Sequence, residues 1–348
     1  MKMKELGRTG IQVTDYCLGT MTWGTQTDEA GGHAQMDAAL AAGINFVDTA
    51  EMYPVNPVSA ETIGHTEQII GTWHAANPGR RSDYVLATKH SGEGLGAVRN
   101  GQAISSQTIA ATVEGSLKRL QTDYIDLYQF HWPNRGSYMF RKNWAYDPSG
   151  MKADAVRQDM ADCLGALQAE VERGTIRSFG LSNESAWGTS QWLRLSEEGA
   201  GPRVASVQNE YSLLCRLYDT DMAEMSVAED VGLLAFSPLA CGYLTGKYAG
   251  GDVPAGSRMS IGPTMGGRAS PRVAEATDAY LKIARDHGLD PTHMALAFCA
   301  ARPFMGSVIF GATTSEQLDH IIAGLDVSLS AEVMAAIDAA HRAHPMPY

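Results

Sequence analysis

No two cysteines in this chain are spaced as a C-x-x-C pair. The five present, Cys17, Cys163, Cys215, Cys241 and Cys299, are scattered through 348 residues. That pattern gives neither a disulfide framework nor a zinc site; it suits a reducing cytoplasm, and no metal is expected. Basic residues are in deficit: 27 Lys and Arg stand against 39 Asp and Glu, a formal net charge of −12, and nowhere do five basic residues run together. Nucleic-acid binding needs a basic face, so no such partner is expected. No apolar run comes near the ~18 residues that a membrane-spanning helix needs. The N-terminus, MKMKELGRTGIQV, lacks the apolar core of a secretory signal. There is no low-complexity tract and no linker-like stretch, so residues 1–348 read as one domain.

The composition, 44% hydrophobic and 19% charged, can bury a sizeable core. Short apolar or β-branched runs alternate with Ala-, Leu- and Glu-rich stretches. The strand candidates are YCLGTM (16–21), NFVDTA (45–50), YVLATKH (84–90) and YIDLYQFH (124–131). RSFGLSN (177–183), VASVQNE (204–210), GLLAFSPLA (232–240) and SVIFGAT (307–313) follow. Between them lie amphipathic stretches such as HAQMDAALAAG, SQTIAATVEGSLKRLQ and VRQDMADCLGALQAEVERG, two of which end at Gly. Eight such alternations predict a parallel sheet closed as a (β/α)8 TIM barrel, with a doubly wound open sheet as the alternative. KELGRTGIQV predicts an N-terminal β-hairpin placed to plug the barrel bottom. Two long segments, 132–152 and 242–270, predict binding loops on the top face. The second is Gly-rich and carries Lys247, Arg258 and Arg268.

Polar residues recur where the strands end: Asp48, Lys89, His131, Ser182–Asn183, Gln208–Asn209–Glu210, Ser237 and Thr313. In a closed barrel these ends gather on one face, where a pocket forms. Asp48, Tyr53, Lys89 and His131 can together protonate an oxyanion. A phenol has a pKa of about 10, a poor match for acid catalysis near neutrality, and a nearby ammonium lowers it. Asp48 would hold Lys89 charged, and His131 would orient a carbonyl oxygen. None of the four supplies hydride, so redox chemistry needs a cofactor. Singly each has a plain structural reading: Asp48 with Glu51 could cap a helix, Tyr53 and His131 could pack, and Lys89 could be an ion-paired residue. GEGLG (92–96) mimics a dinucleotide loop, but it is G-x-G-x-G with no helix directly after it, so it is expected to be an ordinary loop.

GTMTWG (19–24), DTAEMY (48–53), ATKH (87–90) and YQFHWP (128–133) resemble the aldo-keto reductases. GLSN (180–183), QNEYSLL (208–214), FSPLACGYLTGKY (236–248) and GATTSEQL (311–318) continue the match across nearly the whole chain. AEMYPV resembles the bacterial Tas-type branch, near the potassium-channel β-subunit-like reductases. The resemblance implies a barrel that binds NADPH across its top face and reduces aldehydes and ketones. It makes Tyr53 the general acid, Lys89 and Asp48 the groups that tune it, and His131 the carbonyl-orienting residue. For the cofactor it implies Gly19, Thr20, Met21 and Asp48, with Ser182, Asn183 and Gln208 on the carboxamide and Phe236 stacked on the nicotinamide. Ser237, Pro238, Leu239, Cys241, Lys247 and Arg258 would follow the diphosphate, and Gly311, Thr313 and Gln317 the adenosine phosphate. Trp23, Tyr53 and Trp132 would wall an apolar or aromatic carbonyl pocket.

GATTS lacks the basic residue of strongly NADPH-selective branches, and His320–Ile321 stand where relatives place an adenine-binding Asn, so NAD(H) stays open beside NADP(H). Two other readings also stay open. One is a cofactor-binding regulatory subunit with low turnover. The other is a Schiff-base barrel enzyme with Lys89 as nucleophile. The expected partner is a small carbonyl compound; both a monomer and a homo-oligomer fit.

Overall fold

The computed structural model describes residues 1–348. The chain starts with an antiparallel hairpin, β1 (Met3–Glu5) and β2 (Gln12–Thr14). The alternating part runs β3 (Tyr16–Gly19), α1 (Glu29–Ala41), β4 (Phe46–Asp48), α2 (His65–Ala76), β5 (Val85–His90), α3 (Ser106–Leu120) and β6 (Ile125–Phe130). It continues with α4 (Ala153–Glu172), β7 (Ile176–Ser182), α5 (Ala186–Glu197), β8 (Val204–Glu210), α6 (Asp221–Glu229) and β9 (Gly232–Phe236). A one-turn α7 (Arg258–Ile261) precedes α8 (Pro271–Asp286), α9 (Pro291–Ala300), β10 (Met305–Phe310), α10 (Ser315–Ile322) and α11 (Ala331–Ala343). Strands β3 to β10 pair in parallel, and β10 returns to β3, closing an eight-stranded barrel. No helix is long and apolar enough to cross a membrane.

Two apolar layers hold this shape. The larger lies between the strands and the outer helices, where α3 turns Ile109, Val113 and Leu120 inward and α4 turns Leu164 and Leu167. The smaller fills the barrel's lower interior with Cys17, Phe46, Val85, Ala87, Leu127, Ala205, Leu234 and Ile309. Leu6, Ile11 and Val13 of the hairpin join that inner layer, so the hairpin plugs the bottom. Each Val, Leu, Ile or Phe among them contributes about 1.5–3 kcal/mol when taken out of water. The turn depends on Gly7: its φ is +59°, and a Cβ there would lie 2.5 Å from the Ala205 carbonyl oxygen.

Side chains on a strand alternate between faces, so a residue two beyond an inward one also points inward. That rule stacks the interior. Phe46, Ala87 and Leu127 lie in the apolar layer. Asp48, Lys89 and Gln129 stand one step higher on the same strands. The register sets Lys89 beside Gln129, and Ser182 beside Gln208.

Candidate active site

Lys89 is fully buried, an extreme position for an ammonium. It is satisfied there. Its Nζ donates to Asp48 Oδ2 at 2.6 Å and to the Thr49 carbonyl at 2.7 Å. The other Asp48 oxygen accepts from Gln208 Nε2 at 2.8 Å and Gln129 Nε2 at 3.1 Å. Asp48 on β4 is thereby tied to β5, β6 and β8. Burial pulls the lysine pKa down, but Asp48 and Tyr53 outweigh it and hold the ammonium above its ordinary value.

Tyr53 lies on the loop after β4, held by its amide on the Ala50 carbonyl at 3.1 Å. Lys89 Nζ stands 4.9 Å from the Tyr53 ring centroid and favours the phenolate. The net pKa is raised, which corrects the expectation that Lys89 brings this phenol below its usual value. Burial raises it most, Lys89 opposes, and Asp48 adds to the rise. Tyr53 is therefore a protonated phenol at neutral pH, with Lys89 ready to stabilise the phenolate once the proton leaves.

The His131 ring sits edge-on to Tyr53, centroids 5.8 Å apart. Burial first, and then the Lys89 charge, push His131 well below the usual imidazole value, so it is neutral. Its Nδ1 is buried with no partner. A bare acceptor there costs less than an unpaired N–H, so the single proton belongs on Nε2, which can donate to a carbonyl oxygen.

Glu51 does not cap a helix, because α2 begins only at His65. It pairs with Arg99 and accepts from the Ser91 amide, tying the β4 loop to the β5 loop.

A cavity of about 970 Å3 opens over these groups. Asp48, Tyr53, His131 and Trp132 line one end, and Lys89 lies behind the wall. Gly19, Thr20, Met21, Ser182, Asn183 and Gln208 form its floor. Phe236, Ser237, Pro238, Leu239 and Cys241 lead outward to Lys247 and Arg258. Gly311, Thr313 and Gln317, with His320 and Ile321, line the far end. Every position expected to touch a cofactor thus borders one continuous groove. The expectation for Trp23 is corrected: it is fully buried away from the cavity, with Nε1 donating to Gln35 Oε1 at 3.0 Å. Met52, Val55 and Phe140 line the cavity as well. Gly92–Gly96 is a turn outside the groove, with Gly92 packed under Trp132.

The groove's free valences match an extended dinucleotide. Asn183 Oδ1 and Ser257 Oγ line it, buried and without partners, as suits an amide and a phosphate. Neither Lys247 nor Arg258 has an acidic partner, and burial holds both below their ordinary pKa. Arg268, from the same segment, is instead committed to Glu210, Nε to Oε1 at 2.8 Å. At the far end Asp290 caps α9, and its second oxygen meets His320 Nε2 at 3.2 Å. Sequence reasoning missed Gln129 and Arg141. Gln129 was legible through strand parity, being two residues beyond inward Leu127. Arg141 sits in an aperiodic loop and gave no signal.

A proton donor at one end and a partnerless cationic wall further along suit a protein that handles a reduced dinucleotide, the class of NAD(P)H-dependent oxidoreductases. Comparison with known proteins gives the same class and narrows it. The model of the aldo/keto reductase family matches residues 16–342. "Protein tas" of Escherichia coli (strain K12) is 42% identical over 351 residues, covering 100% of this chain and 99% of that protein. "Uncharacterized oxidoreductase YrpG" of Bacillus subtilis (strain 168) is 33% identical over 344 residues, 97% of this chain and 95% of the relative. A "Probable voltage-gated potassium channel subunit beta" of Oryza sativa subsp. japonica is 32% identical over 359 residues, 99% and 98% respectively. The chain belongs to the aldo/keto reductase family, in the neighbourhood of Tas and the channel β subunits.

Proposed function

We propose that this protein reduces an aldehyde or ketone to the alcohol with NADPH, taking the proton from Tyr53. The observation that carries the reading is the convergence of Tyr53, buried Lys89 and neutral His131 at the inner end of a groove with unpartnered cations. The bound nicotinamide supplies the hydride. His131 Nε2–H orients the carbonyl oxygen beside the Tyr53 hydroxyl. As charge develops on that oxygen, Tyr53 donates its proton, and the Lys89 ammonium stabilises the phenolate left behind. Asn183 and Gln208 would hold the carboxamide, Phe236 the ring face, and Lys247 and Arg258 the diphosphate. Thr313 and Gln317 border the adenosine end, where the first turn of α10 carries Glu316 and no Lys or Arg, so the preference for NADPH rests on the family resemblance. Trp132, Phe140, Met52 and Val55 give the carbonyl end an apolar wall.

The Schiff-base reading loses ground here. A nucleophilic lysine must reach substrate as a free amine, whereas Lys89 is charged, ion-paired and off the cavity wall. The experiment is NADPH oxidation over a panel of aldehydes and ketones with the parent and Tyr53→Phe. Turnover should fall by about 10²–10⁴-fold, the usual contribution of a positioned acid, with dinucleotide affinity kept. A variant that keeps more than about a tenth of the parent rate removes Tyr53 from the mechanism.

A further inference from the structure

The long loop between β6 and α4, residues 132–152, supplies Trp132 and Phe140 to the carbonyl end of the cavity. It also carries Arg141, which borders the same cavity. Arg141 Nη1 donates to Glu210 Oε2 at 2.8 Å, with the arginine side chain 16% exposed and the glutamate 6%. The other Glu210 oxygen accepts from Arg268 Nε at 2.8 Å and from the Tyr348 hydroxyl at 2.9 Å. One buried carboxylate at the end of β8 therefore anchors both long loops. Burial pushes Glu210 up, but the two guanidiniums outweigh it and hold it ionised. The loops also touch directly: a Cβ built on Gly267 would lie 3.7 Å from Arg141 Cβ.

The charge balance here is uneven. Arg141, Arg258 and Arg268 lie near enough for their charges to act on one another, and Lys247 lines the same groove. Glu210 is the acid paired with this cluster. Arg141 Nε is buried and has no partner. An unpaired guanidinium N–H beside excess positive charge is a poor resting arrangement and a good receptor for a phosphate.

We propose that Arg141 is a contact for the dinucleotide diphosphate, and that its shared hold on Glu210 makes the order of the carbonyl-site loop depend on bound cofactor. The inference rests on the carbonyl reductase reading above. Bound dinucleotide engages the free Arg141 Nε through its diphosphate while Nη1 keeps its hold on Glu210. Residues 132–152 then settle, and Trp132 and Phe140 complete the wall that the carbonyl compound meets.

The test joins titration with hydrogen exchange. In the parent, NADP+ should increase amide protection across residues 132–152. In Arg141→Met the NADP+ dissociation constant should rise about 10- to 100-fold, as for a lost charged hydrogen bond, and the added protection should vanish. Glu210 keeps Arg268 and Tyr348 in that variant, so the fold is retained, which an unchanged melting temperature checks. Arg141→Lys should recover part of the affinity, having the charge without the planar fork. Parent-like affinity in Arg141→Met overturns the inference, as does a parent loop whose exchange ignores NADP+. A variant with unchanged NADP+ affinity but a raised KM confined to carboxylate-bearing aldehydes places Arg141 on the substrate, and also overturns it. A parent that binds no dinucleotide removes the carbonyl reductase reading and this inference together.

Discussion

Replacing Lys247 or Arg258 by Met should weaken cofactor binding without weakening the protein. Both side chains are partly buried, and neither has an acid to pair with. The nearest compensation for Lys247 is the Tyr248 ring, 5.4 Å from its Nζ. In the free protein each charge therefore bears a desolvation cost with little return. Methionine keeps most of the packed stem and removes that cost, so the melting temperature should hold or rise. With a dinucleotide bound the sign reverses. A unit charge about 4 Å from a phosphate charge gains roughly 4 kcal/mol at an effective dielectric near 20. Net of desolvation, a charged hydrogen bond is worth about 1.5–3 kcal/mol. That corresponds to a dissociation constant raised roughly 10- to 150-fold in each variant. Fluorescence titration of NADPH against salt gives a second reading. Parent affinity should fall as ionic strength rises and the Debye length shrinks from about 10 Å at 0.1 M toward 3 Å at 1 M. Each variant should depend less on salt. Parent-like dissociation constants in both variants refute the reasoning. Loss of stability in step with affinity refutes it too, because the two residues would then be supporting the loop rather than holding a ligand.

Lys89→Met removes the charge that opposes the rise in the Tyr53 pKa, so the phenolate limb of alcohol oxidation should move to higher pH. Asp48→Asn removes a charge that adds to the rise, so with Lys89 still protonated the limb should move the other way; shifts of the same sign would show that the two act only through packing. Gly7→Ala should cost about 2–4 kcal/mol in urea unfolding, combining a positive φ with a clash on the Ala205 carbonyl, while activity per folded molecule stays at the parent level. Trp23→Phe should lower stability by about 1–3 kcal/mol by leaving the Gln35 side-chain oxygen without its donor, and the ranking of aldehyde substrates should not change.

Much of the barrel was readable because strand and helix periodicities are local. All eight barrel strands lie where apolar runs predict them, and α3 spans Ser106–Leu120 almost as its amphipathic stretch does. The larger errors fall at C-terminal ends: six strands were drawn too long there, while β5 and β8 end at His90 and Glu210 as expected. Thr20, His131, Asn183 and Ser237 continue the runs in sequence but lie past the last strand residue, in loops. Those loops are where the groove forms, so chemistry and misjudged boundaries coincide. Trp23 misled because its neighbours Met21 and Thr22 do line the cavity. The backbone turns at Thr20–Thr27 and sends the indole into the core, a turn that no periodicity announces. The sign of the Tyr53 shift was likewise out of reach. Sequence names the lysine that lowers it, while burial of the phenol is a property of the whole assembly. Arg141 was invisible because Glu210, the residue that fixes it, lies 69 positions away.

Asp48 spans the mouth of the barrel like a cross-brace, taking hydrogen bonds from β5, β6 and β8 at once. A closed ring braced across its diameter resists ovalisation. The relative placement of carboxylate, ammonium and imidazole then varies little as the outer parts of the molecule move. The groove wall is braced at one point, Arg268 on Glu210, while Lys247 and Arg258 sit in a segment rich in glycine with no ion pair of their own. Warming should therefore loosen the grip on the cofactor well before it disturbs the proton donor. Thermal inactivation would begin as a rising KM for the dinucleotide at nearly constant kcat, and a saturating supply of cofactor would restore the rate.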